Sequence, residues 1–428
     1  MKNLPLIEFN PKLPKLSKNE KDVLKLLVEA GRLIAPLYAE QEKEAENGVS
    51  RGEIDKEGKK NASILSPYTV VKKENGKLIA TPYHIYYKKF LDPIVEKLNH
   101  ASNISQNREF AKFLSLQAKA LLDGSYDDST AAWLKMKPYI VDISIGPMEH
   151  YDTDFFFAKA AYRGWVGIID KDSTKKLEYY KTVTLSARRK AIGSGERVEN
   201  HERVKGKVIN EVLVSGLMAR TKFVGMILPM TLRLVEKYGS DVTVFNQTND
   251  LRIKEQIIPV FNKIFSPGFR QGFEVEDLRA GSLRYVMLHE LAHNYLYYKN
   301  AKNLGSLLPV IYELSATVLG MKIAGTLLIK DIITNKQLES MIIAFICRSF
   351  DLIKKSKENK STINYALGGS IFINFMLKNE ALRQYQGLAI PNFMKIFVSL
   401  HELSLILEML LSSGSRKDAE DFIKKYGQ

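Results

Sequence analysis

His289 and His293 stand four residues apart in the run His289-Glu290-Leu291-Ala292-His293. On a helix that spacing puts both imidazoles on one face, where a nitrogen from each can share one zinc ion. Glu290 directly follows the first histidine, so its carboxylate can reach a water on the ion and take its proton. The pattern carries this meaning only on a helix. Residues 283–299 contain neither Pro nor Gly, and Ser282 is a good N-cap, so the spacing predicts a helix starting at Ser282.

Zinc needs a third protein ligand and one position left for water. A metzincin would continue with a Gly and a third His; here Asn294-Tyr295-Leu296-Tyr297-Tyr298-Lys299 follow, which excludes that class. Glu313 lies twenty residues beyond His293 and is the only charged residue between Lys302 and Lys322. A carboxylate inside an apolar helix is costly unless something compensates it, and a zinc ion does so. Gly305 and Pro309 mark a turn before the Glu313 helix, letting the two helices pack antiparallel. HExxH with a Glu on the next helix is the ligand set of thermolysin-like (gluzincin) metallopeptidases.

The elements around these residues read as follows. Residues 17–47 form a charged amphipathic helix. Strands at 66–73 and 77–82 are joined by Glu74-Asn75-Gly76, a hairpin signal. Helices fill 84–99 and 106–122. Tyr139–Ile145 is a buried strand closed by Gly146-Pro147, and Ala161–Ile169 is another. From about 205 onward helical periodicity dominates almost to the C-terminus, broken near 240–250, 265–275, 300–308 and 412–417. The first half therefore mixes strands and helices, and the second half is mainly helical.

At 428 residues, with 45% apolar and 26% charged side chains, the chain is neither disordered nor collagen-like and has room for two or three cores. The single cysteine, Cys347, excludes a disulfide framework and a thiolate-only metal cluster and suits a reducing cytosol. No secretory signal opens the sequence. The nearly uncharged run from Leu304 to Met321 reads as a buried core helix rather than a membrane span. The net charge is +15, concentrated in residues 171–222, where 13 basic face 6 acidic side chains and Arg188-Arg189-Lys190 stand together. That stretch permits nucleic-acid binding, yet it lacks the glycines and aromatics of RNA-recognition motifs.

Several segments are shared with a known family. They are Asn61 to Val71 with the following Glu74-Asn75-Gly76, Ile145 to Tyr151, Phe157 to Val166, Asn200 to Val204, Leu283 to Leu296, Asn364 to Gly387, and Phe422 to Gly427. Together they resemble the dipeptidyl peptidase III family of zinc exopeptidases, in the pattern of its Nudix-associated branch, which shares the short HExxH. No Nudix box is present. The resemblance implies that His289, His293 and Glu313 hold Zn2+ and that Glu290 is the catalytic base. It further implies that Tyr151 donates to the tetrahedral oxyanion, and that Glu149 and Asn200 grip the substrate's amino terminus. Three positions depart from the family. Arg197 replaces a second asparagine, Leu367 replaces a histidine that stabilises the transition state, and Thr317 replaces an acid behind the third ligand.

The expected fold is α+β and two-lobed, with a mixed α/β lobe over 1–230, a helical zinc-binding lobe over 231–428, and a cleft between them. The expected function is a cytoplasmic zinc peptidase acting on short peptides, with no membrane partner. The rival readings are a weakly active, peptide-binding member and a basic nucleic-acid-binding protein.

Overall fold

The amphipathic pattern near the N-terminus folds as a helix from Lys18 to Ala45, preceded by a short strand β1 (Leu6–Glu8). Val23, Leu27, Ile34 and Leu37 of that helix are fully buried. The computed structural model of the chain describes residues 4–45, 49–149, 159–191, 203–229, 232–356 and 363–427. They form two compact units, one of residues 1–170 and 209–223, the other of 171–208 and 224–428.

In the first unit, β2 (Thr69–Glu74) and β3 (Lys77–Pro82) pair as the expected hairpin, with Glu74 opposite Lys77. Asn75 and Gly76 both take positive φ, 49° and 77°, as the tight Asn-Gly turn requires. The helices Lys88–Ile104 and Arg108–Asp123 follow. β4 (Val141–Glu149) and β5 (Ala161–Ile169) pair antiparallel, and β5 pairs with β6 (Val204–Gly216), which also takes β1 along residues 213–215. β4 does not close at Gly146-Pro147; it continues to Glu149 past a register shift. β4 is the end strand of the sheet order, so the N–H that Pro147 lacks costs no ladder bond on the open side. Where β5 starts, buried Lys159 donates to the Ile64 and Ser66 carbonyls, both at 2.7 Å, and to Thr69 Oγ1 at 2.8 Å.

The second unit begins with the helix Lys171–Ala191, whose Leu177, Tyr180 and Val183 enter that unit's core. The division expected at residue 230 therefore differs from the observed one. The chain passes between units at 170, 208 and 223, because the buried face of this helix packs on helices far along the sequence. Residues 204–208 of β6, β8 (Ser240–Phe245) and β7 (Gly225–Leu228) supply this unit's part of the large sheet, β7 being last in the order. The helical periodicity expected from 205 onward is thus overturned over β6 and β7, while β8 falls where a break was expected, near 240–250. Every residue of β8 is buried, Ser240, Asp241 and Thr243 included, so its polar side chains lie inside the protein rather than marking a solvent face.

Beyond lie the helices Val275–His293, Leu308–Ile329, Asn335–Ser356, Ile363–Lys378 and Phe393–Ser413, with the small hairpin β9 (Leu382–Tyr385) and β10 (Leu388–Pro391) before the last of these. Two stretches, Lys299–Ile329 and Phe393–Ser413, are long and apolar enough to cross a membrane by composition alone. The first contributes Ile311, Leu314 and Met321 to the second unit's core. Of the basic stretch, the side chains of 185–202 lie outside the described residues.

Candidate metal centre

The motif helix starts seven residues earlier than Ser282 and ends at His293. Glu274 is its N-cap and forms a reciprocal capping box with Asp277. Ser282 sits inside the helix, buried, donating to Asn249 Oδ1 at 2.7 Å. The C-terminal end is set by Asn294, whose amide reaches back to the Leu291 carbonyl at 3.3 Å and competes for the last turn. From Tyr285 to His293 every residue is buried, so the polar side chains among them must find partners inside the protein.

Tyr285, His289 and His293 Nε2 find them on the helix Leu308–Ile329, with Pro309 in its first turn after Gly305 at φ 60°. The two helices run antiparallel. Tyr312 meets His293, donating to its carbonyl at 3.2 Å, while Thr317 meets His289 one turn on. At Gly320 an added Cβ would lie 3.0 Å from the His289 nitrogen, so a larger residue there would push the two backbones apart by a few tenths of an ångström.

Glu313 sits between these contacts. Its Oε2 lies 3.2 Å from His289 Nε2 and 3.6 Å from His293 Nε2, and the two Nε2 atoms are 3.1 Å apart. One donor atom from each residue falls within 4.8 Å of the others. Two ring nitrogens and a carboxylate oxygen crowded together concentrate lone pairs that a divalent cation satisfies, and an N,N,O set suits zinc with a further position for water. The residues fit the ion that the motif implies.

The electrostatics agree. Burial pushes His289 down to about 4, so it is neutral and able to ligate. Burial would raise Glu313, but the charges and hydrogen bonds of His293 and His289 hold it well below the usual carboxylate range. Burial opposes a proton on His293, and the Glu313 charge outweighs it, so His293 is raised. Glu290, pushed up to about 7 by burial, can accept and return a proton near neutrality. Its carboxylate lies under β7: a Cβ on Gly225 would be 2.7 Å from Glu290 Oε1 and 2.4 Å from Val286 Cγ1.

His289, Glu290, His293 and Glu313 are thus brought together. Glu149 ends β4 with its backbone opposite Ala161, its side chain lying outside the described residues. Tyr151, Arg197 and Asn200 also lie outside them. Leu367 packs at the edge of the apolar core of the second unit, and buried Thr317 bonds His289 Nδ1 at 3.1 Å. Sequence reasoning missed Gly225, Tyr285 and Arg348. Tyr285 carries a findable signal, standing one turn before His289; the other two become neighbours of the site only through folding.

Residues 21–185 match the family model of peptidase family M49. A curated relative, Nudix hydrolase 3 of Arabidopsis thaliana, is 21% identical over 360 residues. That alignment covers 82% of this chain and 46% of the relative, so the chain spans about half the relative's length. Among solved structures, DPP III from Caldithrix abyssi superposes with a TM-score of 0.82 at 19% identity, covering 96% of this chain and 91% of that one. Dipeptidyl-peptidase III from Corallococcus sp. strain EGB gives 0.80 at 18%, covering 99% and 90%. The mixed α and β fold is that of these two-lobed proteins, as expected. The family-model match is confined to residues 21–185, and the solved structures share the fold.

Proposed function

We propose that the chain is a zinc-dependent peptidase that releases dipeptides from the amino end of short peptides in the cytosol. The observation that carries this reading is the buried convergence of His289, His293 and Glu313 beside Glu290. When bound there, zinc supplies a Lewis acid that polarises the scissile carbonyl and acidifies water. Glu290 takes the proton of the attacking water and hands it to the leaving amine, a double task that suits a carboxyl titrating near neutrality. β7, last in its sheet order and lying against Glu290, offers an edge to an extended substrate. Tyr151 is the proposed oxyanion donor. Glu149 and Asn200 are the proposed grips on the ammonium, with Arg197 beside them.

The test is Glu290→Gln, which preserves shape but cannot accept a proton. The variant should keep about one zinc per chain and lose hydrolysis of dipeptidyl-naphthylamides; surviving turnover removes Glu290 from the role of base. A second reading, a zinc-binding member that holds peptides with little turnover, is favoured by Leu367, an aliphatic side chain with no proton to donate, packed at the core edge. Zinc-loaded wild type that binds peptides but leaves them intact selects that reading.

A further inference from the structure

Behind His289 runs a line of three side chains outside the metal triad. Thr317 Oγ1 is 3.1 Å from His289 Nδ1, and the Tyr285 hydroxyl is 3.1 Å from Thr317 Oγ1. Arg348 Nη1 then donates to the Tyr285 oxygen at 3.4 Å. Thr317 and Tyr285 are 4% and 3% exposed, so bulk water does not compete for these bonds. Arg348 is held over the rings of Tyr285 and Tyr365, 5.9 and 5.7 Å from their centroids. The Tyr285 ring in turn packs on His289 with centroids 5.6 Å apart.

A histidine that binds metal through one nitrogen donates its other N–H, and the acceptor found there sets both tautomer and basicity. A carboxylate acceptor makes the ring a stronger ligand. Here the acceptor is a neutral hydroxyl and the line ends in a cation. Arginine has donors only, so the Tyr285 oxygen accepts from Arg348 and the phenolic proton is left for Thr317. Burial keeps that phenol protonated against the opposing charge of Arg348. A second guanidinium deepens the positive character. Arg252 is 7% exposed, its Nη1 has no hydrogen-bond partner among the described residues, and its charge acts on Tyr285 and Glu290.

We propose that Thr317 and Tyr285, held by Arg348, form a hydroxyl relay that positions His289 for its metal while leaving the centre short of electron density. Both are positioning residues, and the inference rests on the metallopeptidase reading above. The hydrogen-bonded path works as a unit, since the Tyr285 hydroxyl reaches His289 Nδ1 through the threonine oxygen, while the ring contact is kept in Tyr285→Phe. A carboxylate in place of that oxygen strengthens His289 as a ligand.

The test is zinc affinity of the full chain, stripped with a chelator and titrated with zinc against a chromophoric competitor. Thr317→Val is nearly isosteric and should weaken zinc binding by ~10–100-fold. Tyr285→Phe should weaken it as well, and the double variant should lose no more than Thr317→Val alone, the non-additivity expected of one connected path. Thr317→Ser, which restores the hydroxyl, should recover the affinity, and Thr317→Asp should exceed wild type. Wild-type zinc affinity in a folded Tyr285→Phe, or losses that multiply in the double variant, overturns the relay alone. Wild type that takes up no zinc overturns the metallopeptidase reading and the relay with it.

Discussion

Gly225 is the position where a single methyl group should disable the chemistry while sparing the metal. An alanine Cβ there would lie 2.7 Å from Glu290 Oε1, 2.9 Å from Glu290 Cγ and 2.4 Å from Val286 Cγ1. Comfortable contacts between such atoms are ~3.5–4 Å, so the Glu290 side chain must retreat by on the order of 1 Å. Overpacking of that kind costs ~1–3 kcal/mol of stability. A catalytic group displaced by ~1 Å costs about a hundredfold in rate, which corresponds to ~2.7 kcal/mol in the barrier. None of the three metal ligands is among the atoms that methyl meets most closely, so zinc content should stay at the wild-type level. The assay pairs metal analysis with kcat on a dipeptidyl-naphthylamide. Gly268→Ala is the control, because a methyl there meets nothing within 4 Å. A Gly225→Ala protein with unchanged kcat refutes the reasoning, since Glu290 would then tolerate the displacement or play no part.

His293→Ala should abolish the metal's effect on stability: zinc at a hundredfold over its Kd should add ~2.7 kcal/mol to wild type and nothing to the variant, read by thermal denaturation with and without the ion. Lys159, buried against neutral acceptors, is pushed down to about 8 by burial. The unfolded chain holds that proton up to ~10.4, so between these values unfolding takes up a proton and stability should rise with pH, by up to ~3 kcal/mol. Urea titrations across that range should lose this slope in Lys159→Met. If Arg197 lines the ammonium pocket, wild type should discriminate weakly against acetylated peptides and Arg197→Asn should restore the preference for free amino ends. Equal ratios for the two proteins would place Arg197 elsewhere.

That His289, His293 and Glu313 come together was legible because zinc chemistry restricts residue types and the helix fixes their spacing. His289 and His293 need only one element to meet, and Glu313 betrayed itself as a lone charge in an apolar run. The helix start was misread for the opposite reason. Ser282 has the right chemistry for a cap, but its hydroxyl is taken up by Asn249, a contact made across 33 positions. β8 is hard to read because it is only six residues long and half polar, although all six are buried, and β4 outran its Gly-Pro stop because the proline faces an open edge. Gly225 and Arg348 carry no local signature. Their roles exist only once β7 and the Asn335–Ser356 helix are laid against the motif helix.

The repeated passage of the chain between the two units sets a timetable for its synthesis. The helix Lys171–Ala191 is made early, yet the motif helix it packs against ends at His293, about a hundred residues later. At ~5–20 residues per second the ribosome needs roughly 5–20 s to supply that partner. Throughout this interval Leu177, Tyr180 and Val183 have no finished core to enter, although the segments of the first unit are complete once Phe223 has emerged. A nascent chain of this protein therefore carries, for that interval, a helix whose apolar face has no finished partner.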